Sequence, residues 1–193
     1  DHPDVLDFIR VKRDRTRLTN FNISLATTDA FWRAVDTEAD FALVNPRDGS
    51  VARRVDARSL LAEISEGAWA SGDPGVLFID AVTRANPTPH LGPLAATKPC
   101  GELPLLPNEA CNLGSLRLDA FVRDGRIDWE CLERSVDLGV RFLDDVIEAS
   151  RYPYDAITRT VHGNRKIGLG VMGFADVLVD LGIPYDAPEA VRF

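Results

Sequence analysis

Three features of the sequence predict an α/β fold. Strand-like and helix-like segments alternate along most of the chain. The longest amphipathic stretch, DWECLERSVDLGVRFLDDVIEAS, repeats its apolar residues at helical spacing. The turn Asn45-Pro46-Arg47-Asp48-Gly49 separates two short β-type runs, a hairpin signal that would move the class towards α+β if it dominated.

Taken in order, DHPDVLDFIRVKRD predicts a helix with Pro3 at its first position and Val5, Leu6, Phe8 and Ile9 at helical spacing. RDRTRLTN follows as a polar, basic loop, and FNISLA alternates as a strand. TTDAFWRAVD reads as a helix capped by Thr27 or Thr28. The hairpin of DFALVNPRDGSVARRVD leads into a helix capped by Asp56, with Leu60, Leu61, Ile64, Ala68 and Trp69 on or near one face, stopped at Gly72-Asp73-Pro74-Gly75. A short apolar run, VLFIDAV, precedes the proline-rich loop NPTPHLGP, and ACNLGSLRL reads as a strand. The long helix is capped by Asp128 and apolar at Leu132, Val136, Val140, Leu143, Val146 and Ile147. YPYDAITRTVHG predicts another helix, RKIGLGVMG a glycine-rich strand and turn, and FADVLVDLGI a helix ended by Gly182.

A chain of 193 residues, 45% hydrophobic and 27% charged, suits one domain with a sizeable core. Its net charge of −8 and pI near 4.9 argue against general binding to duplex nucleic acid or to anionic membranes. No apolar run approaches the roughly 18–20 residues that span a bilayer. Three cysteines without a close C-x-x-C pair fit a reducing, cytoplasmic setting. The chain opens at Asp1-His2-Pro3 and stops at Arg192-Phe193 just past a helix start, so a piece of a longer polypeptide is expected.

The candidate chemistry centres on TKPCGE. Cys100 sits among turn-forming residues with Glu102 two positions on, a thiol beside a proton acceptor suited to a radical or nucleophilic centre. Cys111 follows eleven positions later. A cysteine–histidine reading has only His90 nearby and no local protease signature. His2, His90 and His162 share no ligand spacing with the cysteines, so no zinc site is expected, and Cys131 is expected to pack as a small hydrophobe. Lys12, Arg13, Arg15 and Arg17 make either a solvated face or a site for a phosphorylated small molecule. Gly168-x-Gly170-x-x-Gly173 matches the dinucleotide fingerprint, but HGNRKI is poor strand material before it and Asp186 comes too early for the ribose acid. Close packing of strand and helix is the expected role of these glycines.

HPDVLDFI, RLTNFNIS, SGDPGVLFID, NPTPHLGP, PCGELPLLPNEACNLGSL and RKIGLGVMGFADVLVDLGIPYD together resemble the catalytic barrel of ribonucleotide reductases, in the family's order and over essentially the whole chain. NPTPHLG and the gap from Cys100 to Cys111 most resemble the adenosylcobalamin-dependent class II. The resemblance implies that residues 1–193 are an internal segment of one ten-stranded α/β barrel domain with a finger loop at its centre. It implies a thiyl radical on Cys100, Glu102 as the base at the substrate's 3′-hydroxyl, and Cys111 as one of two redox-active thiols whose partner lies upstream. Lys98, Pro99, Cys100, Gly101 and Glu102 would line the substrate, and Arg13, Asp14, Arg15, Thr16, Arg17, Leu18, Thr19 and Asn20 would form the loop that reads a deoxynucleotide effector.

Adenosylcobalamin, an external thiol reductant such as thioredoxin and a homodimeric full-length chain are implied in the same way, and the isolated segment is expected to be inactive. Lys98 departs from the family's asparagine: an ammonium only donates hydrogen bonds, whereas an amide also accepts them. A lysine buried there would pay for desolvation, lose its proton or pair with Glu102 and weaken it as a base. A catalytically degenerate nucleotide-binding relative is therefore the alternative, and a dinucleotide-binding domain at Gly168–Gly173 a more distant one.

Overall fold

The computed structural model describes residues 1–98 and 100–193. The chain divides into two compact units, Asp1–Pro107 and Asn108–Phe193. Helices and strands are mixed in both, as an α/β segment requires. The described strands form five two-stranded sheets, two parallel and three antiparallel, with no closed barrel among the described residues.

In the first unit, α1 (Val5–Arg10) starts two residues later than Pro3 would place it. His2 explains the delay. Its Nδ1 accepts the Asp4 N–H at 3.1 Å and its carbonyl accepts the Val5 N–H, making a turn ahead of the helix. After a 3-10 turn (Val11–Arg13) and the basic loop comes β1 (Ser24–Thr27), then α2 (Asp29–Asp36). Thr28 caps α2 by accepting the Phe31 N–H, one of the two caps expected.

The hairpin β2 (Asp40–Val44) and β3 (Val51–Asp56) forms as the turn residues predict. Asp56 then accepts the Ser59 N–H at 2.7 Å to cap α3 (Ala57–Ser71). Next come β4 (Gly75–Phe78), α4 (Ile79–Arg84), a 3-10 turn (Pro89–Leu91) and a small antiparallel hairpin, β5 (Ala96–Thr97) with β6 (Pro104–Leu105).

β4 lies parallel to β1, in register from Ser24 opposite Gly75 to Thr27 opposite Phe78. Thr27, buried, donates its hydroxyl to the Leu77 carbonyl and accepts the Trp32 indole N–H. The core beneath is Leu6, Ile9, Leu25, Phe31, Ala34, Val35, Ala57, Leu60 and Ile64, with Phe31 edge-on to Trp32 and Phe41. Trp69, expected on the buried face of α3, is 88% exposed. The buried stripe runs through Ala57, Leu60, Ile64 and Gly67, and Trp69 lies about 200° round the helix from Gly67.

The second unit begins with β7 (Asn112–Arg117), a 3-10 turn (Leu118–Phe121) and the short pair β8 (Val122–Arg123) and β9 (Arg126–Ile127). Then come α5 (Trp129–Ala149), α6 (Asp155–Asn164), β10 (Ile167–Met172), α7 (Phe174–Asp180) and α8 (Pro188–Arg192). β10 pairs parallel with β7, Ile167 opposite Asn112 through Met172 opposite Arg117. Asp128 caps α5 as expected.

Only part of the α5 apolar stripe is covered. Leu143 and Ile147 are buried, while Val136 and Val140 are 38% and 43% exposed. The covered stripe runs through Leu132, Ser135, Gly139, Leu143 and Ile147, with Gly139 against Leu169 of β10, and Val136 and Val140 lie to one side of it. No described helix is long and apolar enough to cross a membrane.

Arg165, in the left-handed conformation at the end of α6, ties α6 to α5. Its Nε–H donates to Asp144 at 2.9 Å and its guanidinium pairs with Glu148. Hydrogen bonds from Arg165 hold both carboxyls below the usual carboxylate range.

Two outcomes follow. Ile64→Ala should cost about 2–5 kcal/mol. Urea unfolding followed by tryptophan fluorescence would read it, because Trp32 packs on this core while Trp69 and Trp129 are exposed. The two depressed carboxyls stabilise the fold fully above their unfolded pKa values and lose that contribution as pH falls through the folded ones. Thermal unfolding across roughly pH 3–7 should therefore show a shallower acid limb in Arg165→Gln than in the parent chain.

Candidate functional site

Lys98 and residues 100–102 stand at the end of the β5–β6 hairpin. Ala96 pairs with Leu105 and Thr97 with Pro104; beyond the strands, the Lys98 N–H donates to the Leu103 carbonyl at 3.1 Å. The Gly101 N–H donates back to the Lys98 carbonyl at 2.9 Å, which closes the turn, and Gly101 takes φ +85°. Cys100 is exposed in this turn and Glu102 is exposed beside it. Leu94 and Leu106 are buried at the hairpin base. The turn lies against β4: a Cβ added at Gly101 would sit 3.8 Å from the Leu77 methyl. Cys100 is thus carried near the C-terminal end of a parallel strand, where α/β sheets commonly receive ligands.

Lys98 is half-buried, and among the described residues it forms no ion pair with Glu102. Pro99 lies outside the described residues. His90 is exposed in its 3-10 turn and makes no hydrogen bond to Cys100 among the described residues, so no thiolate–imidazole pair forms there.

The basic loop is built from within. Asp14 Oδ1 accepts the Thr16 N–H at 2.9 Å and its hydroxyl at 2.6 Å, and these bonds hold the Asp14 carboxyl below its ordinary range. Lys12 lies on one groove with Arg15 and Arg17 but is more shielded from solvent than a free surface lysine. Its side chain is 12% exposed, and its ammonium donates to the Leu18 and Phe21 carbonyls at 2.6 Å each, with Asp73 at 3.6 Å. Arg13 turns to Glu63 and Glu66 at 3.8 and 3.6 Å. Lys12 and Asp73, with Arg15, Arg17 and Thr19, line this groove of about 350 Å³ against Ala70 and Ser71 of α3.

Cys111 belongs to the second unit, buried at the threshold of β7. Its Sγ–H donates weakly to the Asn112 carbonyl at 3.3 Å. Two residues earlier, the wholly buried Glu109 side chain accepts from Lys166 Nζ at 2.6 Å and from the Asn164 amide at 2.8 Å. Sequence reasoning passed over this ion pair, since its partners lie 57 residues apart. A carboxylate two residues before Cys111 was the one local sign. Cys131 is half-buried in the first turn of α5.

The glycine run does not make a phosphate cradle. Gly168 and Gly170 lie inside β10, whereas the fingerprint needs them after a strand. A Cβ at Gly168 would fall 2.3 Å from the Leu113 methyl, so close strand packing accounts for it. Gly173, at φ +74°, does open α7, yet a Cβ there would meet the Asp119 carboxylate at 2.5 Å. That acid stands where a phosphate would have to approach. The adjacent cavity is walled by apolar groups, among them Leu118, Phe121, Trp129 and Phe174. No described cluster of histidine, cysteine and acidic side chains could hold a metal ion.

Comparison with known proteins identifies the family. The chain is 51% identical over 192 residues to the vitamin B12-dependent ribonucleoside-diphosphate reductase of Mycobacterium tuberculosis (strain CDC 1551 / Oshkosh), covering 99% of this chain and 28% of that protein. It is 46% identical over 194 residues to the protein of the same name from Thermoplasma acidophilum, covering 100% of this chain and 25% of that one. The vitamin B12-dependent ribonucleotide reductase of Agrobacterium fabrum is 36% identical over 172 residues, 88% of this chain and 14% of its own length. The chain spans about a quarter of the length of the first two relatives. The family profile described as "Ribonucleotide reductase, barrel domain" matches residues 1–193, end to end, and on that match the chain belongs to the ribonucleotide reductase barrel-domain family.

Proposed function

We propose that this chain is a segment of one catalytic barrel domain that reduces ribonucleotides to deoxyribonucleotides, with Cys100 as the radical-bearing thiol. The observation that carries the reading is the exposed Cys100 thiol in a glycine turn, on the hairpin beside Glu102. Adenosylcobalamin, when bound, supplies the radical. The exposed thiol fits a group that must reach its sulfur, and the names of the B12-dependent relatives support this choice.

In this reading the Cys100 thiyl takes the hydrogen from C3′ of the bound ribonucleotide, and Glu102 accepts the proton of the 3′-hydroxyl. Glu102 suits the task because it is exposed and unpaired with Lys98 among the described residues, so it stays available as a base. The C2′ hydroxyl leaves as water. Cys111 and a second thiol elsewhere in the longer polypeptide supply two electrons and two protons and become a disulfide. Cys100 returns its hydrogen to C3′ and ends as it began. An external dithiol of the thioredoxin kind then reduces the disulfide.

The loop Arg13–Asn20 reads a deoxynucleotide effector, with Arg15 and Arg17 facing their groove as the charged contacts. Lys98, Cys100, Gly101 and Glu102 face the substrate, and Pro99 is assigned there by resemblance alone. A ribonucleoside diphosphate is the proposed substrate, from the names of the relatives. The working unit is a cytoplasmic homodimer of the longer polypeptide. Lys98 favours one second reading, a relative that binds nucleotides without turning them over.

The test uses the longer polypeptide with adenosylcobalamin, a dithiol, a ribonucleoside diphosphate and a deoxynucleotide effector. Deoxynucleotide should form, and Cys100→Ser should abolish it. Glu102→Gln should lower turnover by about 10²–10⁴-fold, the range for loss of a general base. No product from the parent protein, with nucleotide binding intact, would favour the second reading; activity recovered by Lys98→Asn would assign the loss to that lysine.

A further inference from the structure

We infer that Glu109 is the positioning residue of Cys111: held by Lys166 and Asn164, it fixes where the thiol stands for disulfide formation. The inference rests on the proposed role of Cys111 as one of the two reducing thiols.

In that role two S–H bonds break and one S–S bond forms, while the hydrogens go to C2′ and to the departing hydroxyl. Such a thiol has to face both a substrate carbon and a second sulfur. Misplacing a reacting group by about 1 Å can cost about 10²-fold in rate. Cys111 is buried, with its Sγ–H on the Asn112 carbonyl, so the protein around it rather than solvent sets its direction.

The chain is pinned on both sides of this thiol. Two residues earlier, the wholly buried Glu109 carboxylate accepts from Lys166 Nζ at 2.6 Å and from the Asn164 amide at 2.8 Å. One residue later, Asn112 stands opposite Ile167 at the start of the β7–β10 pairing. Its side-chain amide also donates to the Leu143 carbonyl of α5 at 3.0 Å. The two donors to Glu109 flank Arg165, whose left-handed conformation, φ +51°, turns the chain from α6 into β10. A residue with a Cβ keeps that conformation where its surroundings over-determine it, and here Asp144 and Glu148 of α5 hold the Arg165 guanidinium. The turn before β10, the strand pairing and α5 therefore converge on residues 109–112. Every one of these contacts lies within the second unit.

Stability alone does not account for the pair. Desolvation offsets the attraction of a buried ion pair, so apolar side chains of similar volume commonly stabilise as well or better. What such side chains do not supply is direction: the carboxylate has its donors at fixed places. Glu109 thereby ties the approach to Cys111 to the strand that runs beside it.

The test compares the longer polypeptide with its Glu109→Leu, Lys166→Met double variant, which removes the pair without leaving one charge buried alone. Disulfide formation at Cys111 is driven by diamide, both cysteines are labelled with iodoacetamide, and turnover is measured with adenosylcobalamin, a dithiol and a ribonucleoside diphosphate. In the double variant the disulfide should form more slowly and kcat should fall about 10²-fold, with KM within roughly threefold. Labelling of Cys111 should quicken, while labelling of Cys100 and the thermal midpoint should hold. Lys166→Arg, which keeps the charge and the donors, should stay much closer to the parent. Unchanged disulfide formation in the double variant overturns the inference. So does equal quickening of labelling at both cysteines, which marks general loosening. Should the double variant fail to fold, Asn164→Leu decides: slower disulfide formation at Cys111 supports the inference and an unchanged rate overturns it. A parent protein without turnover defeats the proposed function instead, and disulfide formation and labelling, which need no turnover, still decide the positioning.

Discussion

A parallel strand cannot be reached through a tight turn, so each of the pairs β1–β4 and β7–β10 obliges the intervening chain to leave the sheet and return. In the first unit that excursion contains α2, the β2–β3 hairpin and α3, and their apolar faces supply most of the core under the strands. In the second it contains α5 and α6, whose buried residues include Leu143, Ile147 and Val161. The functional candidates occupy positions that these pairings create. The basic loop leads into β1, the Cys100 turn lies against β4, and Cys111 stands at the threshold of β7.

The two thiols meet different surroundings for local reasons. Cys100 follows a proline and precedes a glycine in the left-handed region, so the chain reverses there and leaves its side chain outside. Cys111 directly precedes a strand whose residues alternate between half-buried and exposed, and it is buried where that strand begins. An exposed thiol suits transfer of a hydrogen atom to and from a substrate, as proposed for Cys100. A sheltered thiol held at a strand end suits the disulfide-forming role proposed for Cys111.

Charge inside the molecule follows one rule at two sites. Lys12 and Glu109 are both largely or wholly withdrawn from water, and each has several hydrogen-bonding partners. A buried charge without partners would cost far more than the fold could tolerate. Such groups consequently specify geometry, Lys12 by closing a loop and Glu109 by joining the approaches to β7 and β10. Exposed pairs such as Arg134 with Glu130 specify little, because solvent screens them.

Much of the local structure could be read directly from the residues. Thr28, Asp56 and Asp128 announced helix starts, the Asn-Pro-Arg-Asp-Gly turn announced the hairpin, and apolar spacing announced α3 and α5. The family, too, was legible, because its motifs run through the whole chain. These signals act over a few residues, where capping, turn geometry and side-chain period operate. Other features depended on which surfaces meet. The exposure of Trp69, the uncovered side of α5 at Val136 and Val140, the shielding of Lys12 and the burial of Glu109 against Lys166 all depend on which distant segments meet. The sequence by itself determined the capped helices α2, α3 and α5 and the β2–β3 hairpin, because caps and turns act over a few residues. Only the tertiary structure decided which charges are withdrawn from water, because that depends on partners brought together by strand pairing rather than by neighbourhood in the chain.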